Sequence, residues 1–139
     1  PIGALWAKRE VAAAFEPGDH ATTYGGQPLA TSAARAVLRV MEAIDAPNLA
    51  RASGDELMGK LLEVPNVVDT RGLGLLIAAE IDTEAVGMTG PEIALGCLEA
   101  GLVVNGISPT AIRFAPPLTV SSEEIDEAID KLSAVLGAR

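Results

Sequence analysis

Val67-Val68-Asp69-Thr70-Arg71-Gly72-Leu73-Gly74-Leu75-Leu76-Ile77-Ala78-Ala79-Glu80-Ile81 is the stretch on which the fold turns. Val67 to Arg71 reads as a strand that leads through Gly72-Leu73-Gly74 into a second strand, Leu75 to Ile81. The second run is apolar, too short and too β-prone to be another long helix. The glycines between the runs permit a bend or a close approach of backbone. Upstream, Leu29, Ala33, Val37, Val40 and Ile44 follow one helical face behind Pro28, whose missing N–H is harmless in a first helical turn. That helix should stop by Pro47. A second helix is expected from Leu49 to Leu62, with Leu49, Ser53, Leu57 and Leu61 aligned, Gly59 as a weak point and Pro65-Asn66 as its end.

Downstream, Thr89-Gly90-Pro91-Glu92 matches a capping box, in which a hydroxyl and a carboxylate satisfy free backbone N–H groups, and Gly101 marks the helix end. Leu102 to Asn105 follows as a strand, Ser108-Pro109 turns the chain, and Ala111 to Ala115 is the last strand before Pro116-Pro117. Ser121 and Glu124 cap a final helix with Ile125, Ile129, Leu132 and Leu136 on one face. Glu123, Asp126, Glu127, Asp130 and Lys131 remain for water, as a solvated face or an acidic docking surface. The order from Pro28 onward, helix-helix-strand-strand-helix-strand-strand-helix, predicts the α+β class, helices packed on one small sheet.

The opening reads differently. Pro1-Ile2-Gly3-Ala4-Leu5-Trp6-Ala7 carries no methionine, no charged signal-peptide start and no helix cap, so it is expected to come from the middle of a longer protein. Ile2 to Ala7 reads as a strand that pairs with strands outside this chain. Glu10 to Phe15 forms a short helical segment, Glu16-Pro17-Gly18-Asp19 breaks it, and a loop runs to Gln27.

With 139 residues and a formal charge of −9, the chain repels a phosphate polymer or an anionic membrane surface, which argues against nucleic acid as a partner. The 49 % hydrophobic and 21 % charged fractions suit a packed domain, or one domain with a piece of another. No uninterrupted apolar run reaches the roughly 18 residues of a membrane helix, so no membrane partner is expected. Cys97 is the one cysteine and His20 the one histidine, which leaves no internal disulfide and no Cys/His metal site, and points to a reducing compartment, the cytoplasm.

Two places could carry chemistry. Thr22-Thr23-Tyr24-Gly25-Gly26, just before the Pro28 helix, combines hydroxyls, flexible backbone and a helix N-terminus, the components that hold a phosphate; the same residues also suit a turn whose threonines cap their own backbone. Arg113 alternates with Ile112 and Phe114, so its guanidinium points away from both, toward a carboxylate ligand or a surface ion pair. His20 has no neighbouring nucleophile and is left out of the catalytic set. Cys97 lies beside Ile93 and Ala100 on an apolar face and reads as a packing residue, while Ser121 and Ser122 read as helix caps.

Four blocks occur in one order and at fitting separations: Pro1-Ile2-Gly3-Ala4; Gly18-Asp19-His20-Ala21-Thr22-Thr23-Tyr24-Gly25-Gly26-Gln27-Pro28-Leu29-Ala30; Arg71-Gly72-Leu73-Gly74-Leu75; and Ile112-Arg113-Phe114-Ala115-Pro116-Pro117-Leu118. Together they resemble the class III pyridoxal-phosphate aminotransferases over the whole chain. Within them the likeness is nearest to the acetylornithine-using branch of arginine biosynthesis, with the ornithine and 4-aminobutyrate branches as near relatives. Ala21 stands where the family usually has Gly, and Gln27 where it usually has Asn; neither departure removes a hydroxyl or the arginine.

The resemblance implies the tail of the large α/β domain of a fold-type I enzyme over residues 1–27, a connecting helix over 28–46 and the small C-terminal domain over 47–139. It implies pyridoxal 5'-phosphate as cofactor, amino-acid and 2-oxo acid substrates, and a homodimer. By it, Thr23 donates to the cofactor phosphate of the neighbouring subunit, Thr22 lies against substrate, and Arg113 clamps a substrate carboxylate. The Schiff-base lysine belongs upstream of the Pro-Ile-Gly-Ala stretch, so that no catalytic residue is expected here and Lys8, Lys60 and Lys131 do not fill the role. The isolated chain is therefore expected to be inactive. The alternative is a non-catalytic small-domain module that works only by association with a partner chain.

Overall fold

The computed structural model describes residues 2–20 and 22–137, so Pro1 of the opening block and the Ala21 departure lie outside the described residues. The chain divides into two units, Pro1–Ile44 and Asp45–Arg139, each taken by itself below.

In the first unit, α1 spans Arg9–Ala12 and α2 spans Pro28–Ala43. Ile2 to Ala7 does not form the expected strand. A strand exists through its ladder, and among the described residues no segment pairs with this one; Leu5 and Trp6 are 82 % and 88 % exposed. α1 is shorter than the expected Glu10 to Phe15 because the N–H groups of Ala14 and Phe15 donate three residues back, to Val11 and Ala12, and tighten the last turn. The break at Glu16–Asp19 closes on itself, with the Glu16 N–H donating to Asp19 Oδ2 at 2.7 Å. α2 begins at Pro28 as expected and holds no buried residue.

The second unit carries the core. α2 stops at Ala43, before Pro47 as expected, and α3 spans Ala46–Glu63, starting three residues ahead of the expected Leu49 with Pro47 in its first turn. The interruption is Asp45, left-handed at φ 51°; its carbonyl accepts from the N–H groups of Asn48 and Leu49, and its Oδ2 from Asn48 Nδ2 at 2.6 Å. The buried arc of α3 is Ala46, Gly54, Leu57 and Leu61. Leu49, expected on that face, is 41 % exposed; at 100° per residue it falls about 60° outside the arc.

β1 (Val67–Leu73) and β2 (Leu76–Ile81) pair antiparallel, from Leu73 opposite Leu76 to Val67 opposite Ile81, and turn through Gly74 at φ 54°. α4 (Thr83–Val86), too short to leave a periodic signature, follows; its cap Asp82 accepts from the Ala85 N–H. α5 spans Gly90–Glu99, entered through the Thr89/Glu92 box, in which the Thr89 N–H and hydroxyl both donate to Glu92 Oε2 at 2.7 Å. β3 is only Asn105–Gly106, β4 is Ala111–Phe114, and α6 is Ser122–Gly137, with Ser121 and Glu124 exchanging side chain-to-backbone hydrogen bonds.

β3 was expected to begin at Leu102. Instead the Leu102 N–H donates to the Cys97 carbonyl at 2.7 Å, closing the end of α5, and only Asn105 and Gly106 meet β4. The antiparallel sheet has the order β1-β2-β4-β3. Ile77, Ala79, Ile81, Ile112 and Phe114 share a buried cluster with Leu57 and Leu61 of α3, Ile93 and Cys97 of α5, and Ile125, Leu132 and Leu136 of α6. The class is α+β, helices on a small sheet. By strand alternation, Ala78, Glu80 and Arg113 stand on the other face.

Candidate functional site

The open sheet face gives Arg113 its surroundings. Across the strands the register runs Arg71 opposite Ala78, Ala78 opposite Arg113, and Arg113 opposite Asn105. Arg113 is exposed between buried Ile112 and Phe114, as the alternation requires. It stands on β4, an inner strand of the sheet, and forms no ion pair among the described residues. Its Nη2 instead donates to Asn105 Oδ1 at 3.3 Å.

Two acids stand on this face, Asp69 on β1 and its partner Glu80 on β2; Glu80 is on the strand next to Arg113, and both its oxygens are engaged. Oε2 accepts from Arg71 Nη1 at 2.8 Å and Oε1 from the Thr110 hydroxyl. The Thr110 hydroxyl, followed by the Arg71 guanidinium, holds the Glu80 carboxyl below the usual carboxylate range. Glu80 thus stays ionised and committed to its own partners, leaving the charge on Arg113 available to an incoming anion.

Thr22 and Thr23 belong to the first unit. Thr22 Oγ1 accepts from the Gly25 N–H at 3.2 Å, so the self-capping turn is formed, with the Thr22 hydroxyl hydrogen still free to donate. Thr23 makes no side-chain hydrogen bond among the described residues and is exposed. Gly26, at φ 72°, completes an exposed turn ahead of the Pro28 helix. A free hydroxyl beside exposed backbone N–H groups is donor chemistry that fits a phosphate.

The other candidates resolve plainly. His20 lies 5.9 Å from Phe15, ring to ring. Cys97 is a free, fully buried thiol, pushed up in pKa by burial, as a packing residue should be. Among the described residues no group of three or more His, Cys, Asp or Glu could hold a metal ion, and no helix is long and apolar enough to cross a membrane.

The class III aminotransferase sequence model matches residues 1–136. The chain belongs to the class III aminotransferases. Members of this family use pyridoxal phosphate. Against the acetylornithine aminotransferase of Caldanaerobacter subterraneus subsp. tengcongensis the chain is 43 % identical over 98 % of its length and 34 % of that protein. Against the ornithine aminotransferase of Halalkalibacterium halodurans it is 38 % identical, over 98 % of its length and 33 % of that protein. It also superposes on the ornithine aminotransferase of Toxoplasma gondii, a structure described with partial occupancy of PLP at its active site, with a TM-score of 0.73 and 28 % identity over 93 % of this chain and 31 % of that one. The chain thus spans about a third of the length of the class III aminotransferases it matches.

Sequence reasoning missed Asn105, Glu80, Arg71 and Thr110 as the frame around Arg113. One signal was present: Asn105 and Arg113 each stand four residues from Pro109, the spacing that sets two residues opposite one another across a turn.

Proposed function

We propose that the chain is the C-terminal portion of a pyridoxal-phosphate-dependent aminotransferase that transfers the amino group of N-acetylornithine to 2-oxoglutarate in arginine biosynthesis. Residues 1–27 would end the cofactor-binding domain, 28–46 connect, and 47–139 form the small domain. When bound, pyridoxal phosphate supplies an electron sink and accepts and returns the amino group. The chain's own residues bind and orient. Thr23 donates to the cofactor phosphate, carried by the neighbouring subunit of a cytoplasmic homodimer, and Thr22 turns its free hydroxyl hydrogen toward substrate. Arg113 clamps a substrate carboxylate in a bidentate pair, which fixes the substrate for proton transfer at the carbon that bears the transferred amino group.

The observation that carries this reading is the uncompensated guanidinium of Arg113 on the open sheet face. The lysine that bonds the cofactor is assigned to the remainder of the parent. Lys60 is committed to Asp126 at 2.5 Å and Glu56 at 2.7 Å, which raise its pKa and oppose the neutral amine a nucleophile needs. Lys131 is committed to Glu127 at 2.6 Å. With the cofactor lysine assigned outside these residues, the isolated chain should not transaminate.

The test is kinetic, in the full-length parent. Arg113→Lys keeps the charge and loses the fork; since a charge-assisted pair contributes about 1.5 to 3 kcal/mol, kcat/KM should fall roughly ten- to a hundredfold for both amino donor and 2-oxoglutarate. Thr23→Ala should weaken cofactor retention instead. Normal transamination by Arg113→Lys with both substrates would overturn the assignment. The 38 % identity to an ornithine aminotransferase favours ornithine as the second reading of the donor; a kcat/KM for ornithine above that for N-acetylornithine decides for it.

A further inference from the structure

We propose that Asn105 is a positioning residue for the carboxylate clamp: it orients the Arg113 guanidinium and, by being neutral, leaves its charge for substrate. This rests on Arg113 being the clamp. Arg113 has two facing neighbours in the register, Ala78 on β2 and Asn105 on β4's other side. Ala78 ends at its Cβ and offers no hydrogen-bond acceptor. Asn105 offers an amide oxygen, and it receives Nη2 at 3.3 Å. Glu80, two residues along from Ala78, is the carboxylate of the strand that pairs with β4, and Arg71 and Thr110 occupy both its oxygens; the other acid of the face, Asp69, lies one strand further away, on β1.

The partner of Arg113 is thus an uncharged acceptor. An apolar residue at position 105 would release a long side chain into many rotamers, and a carboxylate there would bind the guanidinium itself. A neutral amide does neither. Asn105 is also held in place, because a Cβ on the next residue, Gly106, would lie 2.6 Å from Pro91 Cα and N. β3 therefore rests against the start of α5 with no room to slide. The two-residue ladder to β4, weak by its length, gains its fixity from that contact.

The experiment uses the full-length parent loaded with cofactor, N-acetylornithine and 2-oxoglutarate as substrates, and the variants Asn105→Asp, Asn105→Ala, Asn105→Gln and Arg113→Ala. Asn105→Asp should raise KM for both substrates by about tenfold or more, with kcat within about twofold, because the new carboxylate competes for the guanidinium and saturating substrate displaces it. Asn105→Ala should raise KM less, by about two- to fivefold, and Asn105→Gln, which keeps the acceptor, should come closest to the parent. Adding Asn105→Asp to Arg113→Ala should change KM no further, as expected when one residue acts through the other. An unchanged KM in Asn105→Asp, where Arg113→Ala does raise it, overturns the inference and leaves the clamp standing. An equal penalty from Asn105→Asp with and without Arg113 also overturns it. An unchanged KM in Arg113→Ala overturns the clamp itself.

Discussion

Two glycines of α3 should respond oppositely to the same substitution. A Cβ on Gly54 would lie 2.2 Å from the Gly74 carbonyl oxygen, 2.6 Å from its carbon and 3.0 Å from its Cα, all backbone. Carbon–oxygen contacts settle near about 3.3 Å, so Gly54→Ala must part α3 from the β1–β2 turn by about 1 Å. Gly74 cannot yield easily: it occupies a left-handed conformation at φ 54° between paired Leu73 and Leu76. Overpacking costs about 1 to 3 kcal/mol, and a backbone-on-backbone clash belongs at the upper end, against a gain of about 1 kcal/mol from helix propensity. The net loss should be about 1 to 2 kcal/mol. Gly59 lies in the same helix, exposed, with nothing within 4 Å of an added Cβ. Gly59→Ala should therefore keep only the propensity gain, about 0.5 to 1 kcal/mol. Urea unfolding of the chain, followed by far-UV circular dichroism, measures both; the midpoints should fall on opposite sides of the unsubstituted chain, about 1 M apart. Shifts of the same sign in the two variants would refute the packing argument.

The ion network between α3 and α6 predicts a pH signature. Hydrogen bonds to Asp126 and then Glu56 raise the Lys60 pKa, so its contribution is complete below the ordinary lysine range and is lost as pH rises through the raised value. Hydrogen bonds from Lys60 and then Ser122 lower the Glu56 pKa, so that contribution is present above the ordinary carboxylate range and is lost as pH falls. Lys60→Met should flatten the stability profile at both ends, read from urea midpoints between about pH 3 and pH 11; an unchanged profile would exclude the network as a source of pH dependence. Cys97, fully buried and raised in pKa, should resist iodoacetamide at about pH 8 in the folded chain and react stoichiometrically in urea. Equal rates in the two states would show the thiol to be accessible.

The core strands and long helices were legible because each carries its own periodic signal. Leu57 and Leu61, the alternate residues Ile77, Ala79 and Ile81, and Ile125, Leu132 and Leu136 fall inside as their spacing requires. The Thr89 and Ser121 caps were legible for the same reason, being local chemistry between residues three apart. The misreadings sit where a residue's role depends on what it meets. α2 stops at Ala43, before Pro47 as read, but α3 starts at Ala46 rather than Leu49, because a left-handed Asp45 lets Pro47 enter its first turn. Ile2 to Ala7 has strand composition but no ladder among the described residues. Leu102 has strand composition too, but its N–H serves the end of α5.

The site divides along the same line. Alternation alone aimed Arg113 away from Ile112 and Phe114, and motif resemblance gave it a ligand. Neither could say whether its charge was free, because that depends on the acceptors Glu80 and Asn105, on two other strands, and on the donors that occupy Glu80. Arg71 and Thr110 hold Glu80, and β3 supplies an amide instead of a carboxylate. An isolated guanidinium on a sheet is common, whereas one whose nearby acid is doubly occupied and whose own partner is neutral keeps its charge for an incoming anion, as the proposed clamp requires. The short reach of Ala78 belongs to this arrangement: a Glu at that position would face Arg113 directly across the β2–β4 pair and neutralise it, whatever the motif around the arginine.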